Sequence, residues 1–269
     1  GVIAGRVDLL APAEQLTLKV ASVVGPVFTD PVLRGIYPID ADTRDITNHL
    51  AAFAALDLTR PLPPTRHAFR HAVTHEVVYD LLLAAQRTRL HRAVATWLEG
   101  QADSHADRTD TADVLLAHHW ERAGEPTRAR AYLLAIGDRA LALGAYQEAI
   151  AAFERAHALE PADLPPADRA SQRIRLGDAL SRVGRLHEAR QLLHAGLALS
   201  GQPYPATPRA LAADLARLTA RQLARRALRW GEAPTSHAGQ DTSDPAIARA
   251  YLALSMIAYT CNDRLATLH

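Results

Sequence analysis

Residues 130 to 161, RAYLLAIGDRALALGAYQEAIAAFERAHALEP, decide the fold of this chain. Apolar residues recur through the stretch at helical intervals, and the rhythm is interrupted at Gly144. The pattern predicts two helices joined by a tight glycine turn. It returns at residues 170 to 200, ASQRIRLGDALSRVGRLHEARQLLHAGLALS, where Gly177 stands for Gly137 and Gly184 for Gly144. The two matching pairs are 40 residues apart, with the loop ADLPPAD between the helical stretches. Upstream, DVLLAHHWERAGEPTRARAYL has the same helix–glycine–helix order, so a stack of helical hairpins is expected from about Asp110 onward.

The bulk composition agrees with a helical reading. Hydrophobic residues make up 48% and charged residues 22%, the balance of a globular chain rather than a disordered one. Aromatics at 5% and 14 glycines argue against a sandwich or barrel, whose many short strands need frequent turn residues. There is no apolar run of about 18 residues, so no membrane-spanning helix is expected. The N-terminal GVIAGRVDLLAPAEQ has no long apolar core of an export signal. Cys261 is the single cysteine, which fits a reducing compartment and a cytoplasmic location. A formal net charge of +1 gives the whole chain no electrostatic bias toward nucleic acid or membrane. Lys19 is the sole lysine; the arginine and alanine excess reads as a high-GC coding bias.

The first hundred residues have a different organisation. Pro12 opens a helix that Gly25-Pro26 closes, a short helix follows near Asp30–Ile36, and a third runs from about Asp42 to Leu56. Two short β-like pieces then flank Pro61, Pro63 and Pro64. Three helices and a small hairpin are the order of a winged-helix domain. Helices starting at FRHAV and at Ala84 follow, and the polar residues 100 to 110 read as a linker. The expected organisation is a winged-helix domain with following helices over 1–103 and repeats over 104–200. A linker with a basic amphipathic helix follows over 201–246, and the truncated first helix of a further repeat over 247–269. A half-repeat leaves an apolar face uncovered, so the chain is expected to be part of a longer polypeptide.

The search for chemistry returns mostly exclusions. No glycine-rich loop precedes a lysine, and there is no GxSxG, HExxH or CxxC. HEVVY, residues 75 to 79, has Tyr79 where a zinc-binding motif needs its second histidine. His71 and His75 lie one helical turn apart, but nothing adjacent in sequence completes a ligand set, and no metal or catalytic residue is expected. His71 falls where a helix begins, and free backbone N–H groups at such an end attract anions, so this histidine is a candidate phosphate contact. Arg217, Arg221, Arg225 and Arg229 form a stripe at every fourth residue of PRALAADLARLTARQLARRALRW, a face suited to anions or an acidic surface, or to solvent. Leu134, Asp138 and Leu141 are expected to line the concave face of the repeats, where a protein or peptide partner would bind.

Residues 130–161 resemble a tetratricopeptide repeat. Gly137, Gly144, Tyr146, Ala149, Phe153, Ala156 and Pro161 stand at its diagnostic positions, and the 40-residue spacing exceeds the period of about 34 by a surplus that falls in the ADLPPAD loop. Nearly the whole chain resembles the region downstream of the ATPase module in large bacterial STAND-type regulators, the kind fused to class III adenylate/guanylate cyclases or to LuxR-type DNA-binding domains. The resemblance is carried by RVDLLAPAEQLTLKVASVVGPVF, by FRHAVTHEVVYDLLLAAQRTRLHRAVATWLE and by LAHHWERAGEPTRARAYLLAIGDRALALGAYQEAIAAFERA. It implies a winged helix packed on an ATPase module and helical repeats acting as a sensor or autoinhibitory arm. It implies no catalysis in this chain, and ATP or ADP in the adjoining module. His71 matches the histidine of an MHD-like motif that touches the β-phosphate of bound ADP in related switches; Ala72 stands where that motif has an acidic residue. The alternative is a DNA-binding winged-helix regulator with a repeat arm, for which the third helix offers only Arg44 and Asn48.

Overall fold

The computed structural model describes residues 2–38, 45–101, 110–202 and 245–260, with scattered positions between 204 and 224. The protein is mostly helical, with one small three-stranded sheet among the described residues. It divides into two compact units, Gly1–Tyr132 and Leu133–His269. The sequence-expected boundary at 103/104 falls outside the described residues.

The N-terminal unit opens with α1 (Val2–Asp8) and α2 (Pro12–Val24). Proline occupies the first turn of α2, where its missing N–H costs nothing, and the Ala11 N–H donates to the Glu14 carboxylate at 2.8 Å. Gly25, at φ 140°, ends the helix in a conformation that side chains disfavour. Strand β1 (Val27–Thr29) leads into α3 (Asp30–Ile36), and α4 (Ile46–Ala55) precedes β2 (Thr59–Leu62) and β3 (Arg66–Phe69). The sheet order is β1-β3-β2, antiparallel throughout, with Phe28 opposite His67 and Thr59 opposite Phe69. The hairpin and the three preceding helices follow the sequence expectation. Two elements are additions, α1 and β1, each too short to show a period.

This unit has one core, in which Leu18, Phe28, Leu33, Ile46, Phe53 and Val78 are almost wholly buried. Within it a polar knot joins three helical segments. Thr17 Oγ1 lies 2.8 Å from both the Tyr37 hydroxyl and His49 Nδ1, and 3.0 Å from the Ala13 carbonyl. Next come α5 (Ala72–Asp80) and α6 (Ala84–Gly100). α6 approaches α3 so closely that a Cβ on Gly35 would overlap the Trp97 indole. α7 (Asp110–Arg122) and the start of α8 (Pro126–Ala142) complete the unit. There Glu99 of α6 accepts hydrogen bonds from Trp120 Nε1 at 3.0 Å and the Tyr132 hydroxyl at 2.7 Å.

The C-terminal unit contains the rest of α8, then α9 (Tyr146–Ala158), α10 (Pro166–Arg182), α11 (Leu186–Leu199) and α12 (Pro245–Thr260). Small residues set the spacing of its helices. A Cβ on Gly137 would overlap the Phe153 ring, and one on Gly177 would lie 2.8 Å from Leu193 Cγ. From the other side, a Cβ on Gly196 would lie 2.7 Å from Ile174 Cγ1. Phe153, Ile174, Leu193 and Leu197 are buried at the centre, and Ala250, Leu254 and Ile257 of α12 join the same cluster.

The turns in both units share one construction. Gly124, Gly144 and Gly184 have φ of 70°, 78° and 81°. In each case the next residue's N–H reaches five residues back: Glu125 to the Trp120 carbonyl, Ala145 to Ala140 and Arg185 to Leu180, at 3.0, 2.8 and 3.1 Å. This is the six-to-one hydrogen bond of a Schellman cap, which glycine's freedom at positive φ permits.

Candidate functional site

A cavity of about 330 Å³ opens in the N-terminal unit where α5, α6 and α7 meet the end of α2. Its walls carry His75, Tyr79, His91, His118, His119 and Arg122. Helical periodicity places the groups: His75 and Tyr79 are one turn apart on α5, His91 follows Leu90 on the buried side of α6, and His119 lies on the buried side of α7 beside Trp120. His118 is exposed at the rim.

The polar groups form two linked arrangements. His75 Nε2 lies 2.8 Å from the Ser22 carbonyl. A carbonyl only accepts, so this nitrogen carries a proton and donates. Tyr79, tilted against His91, places its hydroxyl 2.9 Å from His91 Nε2, while His91 Nδ1 lies 2.8 Å from His119 Nδ1. Two facing ring nitrogens need one proton between them, so the pair is satisfied with both rings neutral. Burial drives this: His91 is 2% exposed, and burial, then the neighbouring His119, His118, Arg122 and Arg87, lower its pKa to about 3. Burial, and next His118, lower that of His119 to about 4. The Arg87 guanidinium sits 4.5 Å over the Tyr79 ring and its Nη2 bonds Asp80, closing one side of the cluster.

At neutral pH, therefore, the cavity presents unprotonated imidazole nitrogens beside a phenol and a guanidinium. His91, His118 and His119 each offer a ring nitrogen, and the three lie within 4.8 Å of one another. Imidazole nitrogens grouped in this way coordinate borderline metal ions well.

No family model matches the chain. An uncharacterized protein of Rhizobium meliloti (strain 1021) is 32% identical over 162 residues, 59% of this chain. The match spans 15% of that protein, which is several times longer.

The residues singled out from sequence are scattered. His71 is exposed at the start of α5, makes no side-chain cap bond, and is not among the residues lining the histidine cavity. Leu134 and Leu141 are half-buried and pack against the core of the C-terminal unit. Asp138 is half-exposed and paired with Arg175 at 2.9 Å; burial raises its pKa, and Arg175 and Arg249 oppose that rise. Arg217 is exposed and engaged in an interaction of its own, and Arg221, Arg225 and Arg229 lie outside the described residues. No residue adjacent to His71 and His75 in the chain completes a metal-ligand set. The histidines that converge are instead 28 residues apart, on α6 and α7. Their one trace in the sequence is polar residues at apolar-face positions, such as His91 between Leu90 and Val94.

Proposed function

We propose that this chain is a non-catalytic regulatory and protein-interaction segment of a larger nucleotide-dependent signalling protein of the STAND type. In this reading the N-terminal unit is a winged-helix domain that packs on an ATPase module. The helical hairpins are tetratricopeptide-like and hold the off state or bind a partner. The observation that carries it is the order of elements: α2, α3 and α4, then the β2–β3 hairpin with β1 beside β3, and directly afterwards His71 at the head of α5.

The exposed imidazole of His71 stands beside the first unbonded N–H groups of α5, a setting suited to a phosphate. That supports its assignment as a contact to ADP held in the neighbouring module. The Schellman-capped hairpins with glycine at their close contacts support the repeat reading. Of the two residues the DNA-binding alternative offered, Arg44 lies outside the described residues and Asn48 is exposed on α4 beside Thr47, Ala51, Ala54 and Ala55. None of these α4 positions is cationic, and a phosphate backbone is gripped by Lys and Arg.

The test is His71→Ala in the whole protein. Because His71 makes no side-chain cap bond, the fold is expected to be unaffected. ADP should dissociate faster and basal output should rise. An unchanged ADP affinity and basal rate would refute the assignment.

A further inference from the structure

We propose that His91, His118 and His119 form a zinc site, with the fourth position open to the cavity. The site belongs to the N-terminal unit alone and does not depend on the nucleotide-switch reading.

Geometry carries the argument. A tetrahedral zinc with Zn–N distances of about 2.0–2.1 Å holds its nitrogens roughly 3.3 Å apart. His91 Nδ1 and His119 Nδ1 already face each other at 2.8 Å, so spreading them by about half an ångström would admit the ion. Neighbouring residues of a helix diverge by about 100°, yet His118 and His119 turn their rings together, with centroids 5.2 Å apart. His118 also closes on His91, centroid to centroid 5.7 Å. The third ligand thus comes from the rim, where an ion can enter.

The surroundings match what a ligating histidine needs. Its second nitrogen should be held by a hydrogen bond that fixes ring and tautomer. Tyr79 does this for His91: its hydroxyl lies 2.9 Å from Nε2, holding the ring with Nδ1 turned toward His119, and accepts the Nε2 proton when a metal takes Nδ1. His75 also lines the cavity, but its Nε2 is committed to the Ser22 carbonyl. Three imidazoles without a carboxylate or thiolate select zinc or its borderline neighbours over magnesium and calcium. Arg122, in the same wall, brings a positive charge, which favours an anionic fourth ligand.

The test uses the full 269-residue chain, stripped by chelator and titrated with Zn²⁺ in a calorimeter, with Co²⁺ as a spectroscopic substitute. One ion per chain is expected, with cobalt giving the intense visible bands of a four-coordinate site. His118→Ala removes an exposed ligand without opening the core and should weaken binding at least tenfold. Tyr79→Phe, which keeps the ring, should weaken it by about 10–100-fold. His187→Ala, on α11 and hydrogen-bonded to Gln191 in its own helix, should change nothing. Absence of stoichiometric binding, a six-coordinate cobalt spectrum, or unaltered affinity in His118→Ala would overturn the site. So would a loss in His187→Ala equal to that in His118→Ala.

Discussion

Gly177→Ala puts a close helix pair of the C-terminal unit, α10 and α11, to a direct test. In an open helix this change would stabilise by about 1 kcal/mol, because alanine is the better helix former. At Gly177 the new methyl would meet Leu193 Cγ at 2.8 Å, Leu193 Cδ2 at 3.1 Å and the Ala189 carbonyl oxygen at 3.2 Å. Leu193 is fully buried, and the carbonyl is backbone, so rotating one side chain gives incomplete relief. Forcing a methyl into such a contact costs about 1–3 kcal/mol, so the net expectation is a loss of up to about 2 kcal/mol. In a unit of this size each kcal/mol lowers the melting temperature by roughly 2–4 °C. Gly5→Ala supplies the control, since nothing lies within 4 Å of a Cβ there; it should be neutral or stabilise by up to about 1 kcal/mol. Urea and thermal unfolding of the three proteins give the comparison. If Gly177→Ala gains stability as Gly5→Ala does, α10 and α11 are not as close as described and the packing argument fails.

Two further outcomes concern the N-terminal unit. The metal-free chain should lose stability as pH falls below about 6.5, because the unfolded state then binds protons that His91 and His119 refuse in the fold. The loss should continue until the folded values of about 3 and 4 are reached. At about pH 5 His91 alone accounts for roughly 2 kcal/mol, and denaturant midpoints that stay level from neutrality to that pH would contradict the neutral pair. Thr17→Val keeps the shape of a fully buried side chain but deprives Tyr37 and His49 of their shared partner. It should cost about 1–3 kcal/mol in the same assay, and a neutral result would mean that the three groups are not mutually dependent.

What the sequence disclosed follows from length and period. The helix at 166–182 and its neighbour at 186–199 each span several turns, long enough for an apolar face to repeat, and Gly184 marks the limit between them through a conformation other residues disfavour. Proline placed α2, and the proline-rich segment placed the hairpin. β1 has three residues and no alternation to detect; it exists because β3 offers it a partner from 37 to 41 positions away, as in Val27 opposite Ala68. The histidine cavity was hidden for the same reason. His71 and His75 drew notice by adjacency, whereas His91 and His119 meet only after α6 and α7 have packed. Side-chain encounters between distant helices leave no period in the chain, so only the folded arrangement reveals them.

The repeated six-to-one turn at Gly124, Gly144 and Gly184 has an evolutionary consequence. Each bend is written within half a dozen consecutive residues and needs no instruction from elsewhere in the molecule. A segment of gene encoding one helix pair therefore carries its own corner with it when duplicated or deleted. The loop at 159–165 can lengthen without disturbing the corners on either side, since extending a surface loop costs little. Lineages carrying this architecture are thus free to gain or lose whole hairpins without rewriting the turns that remain.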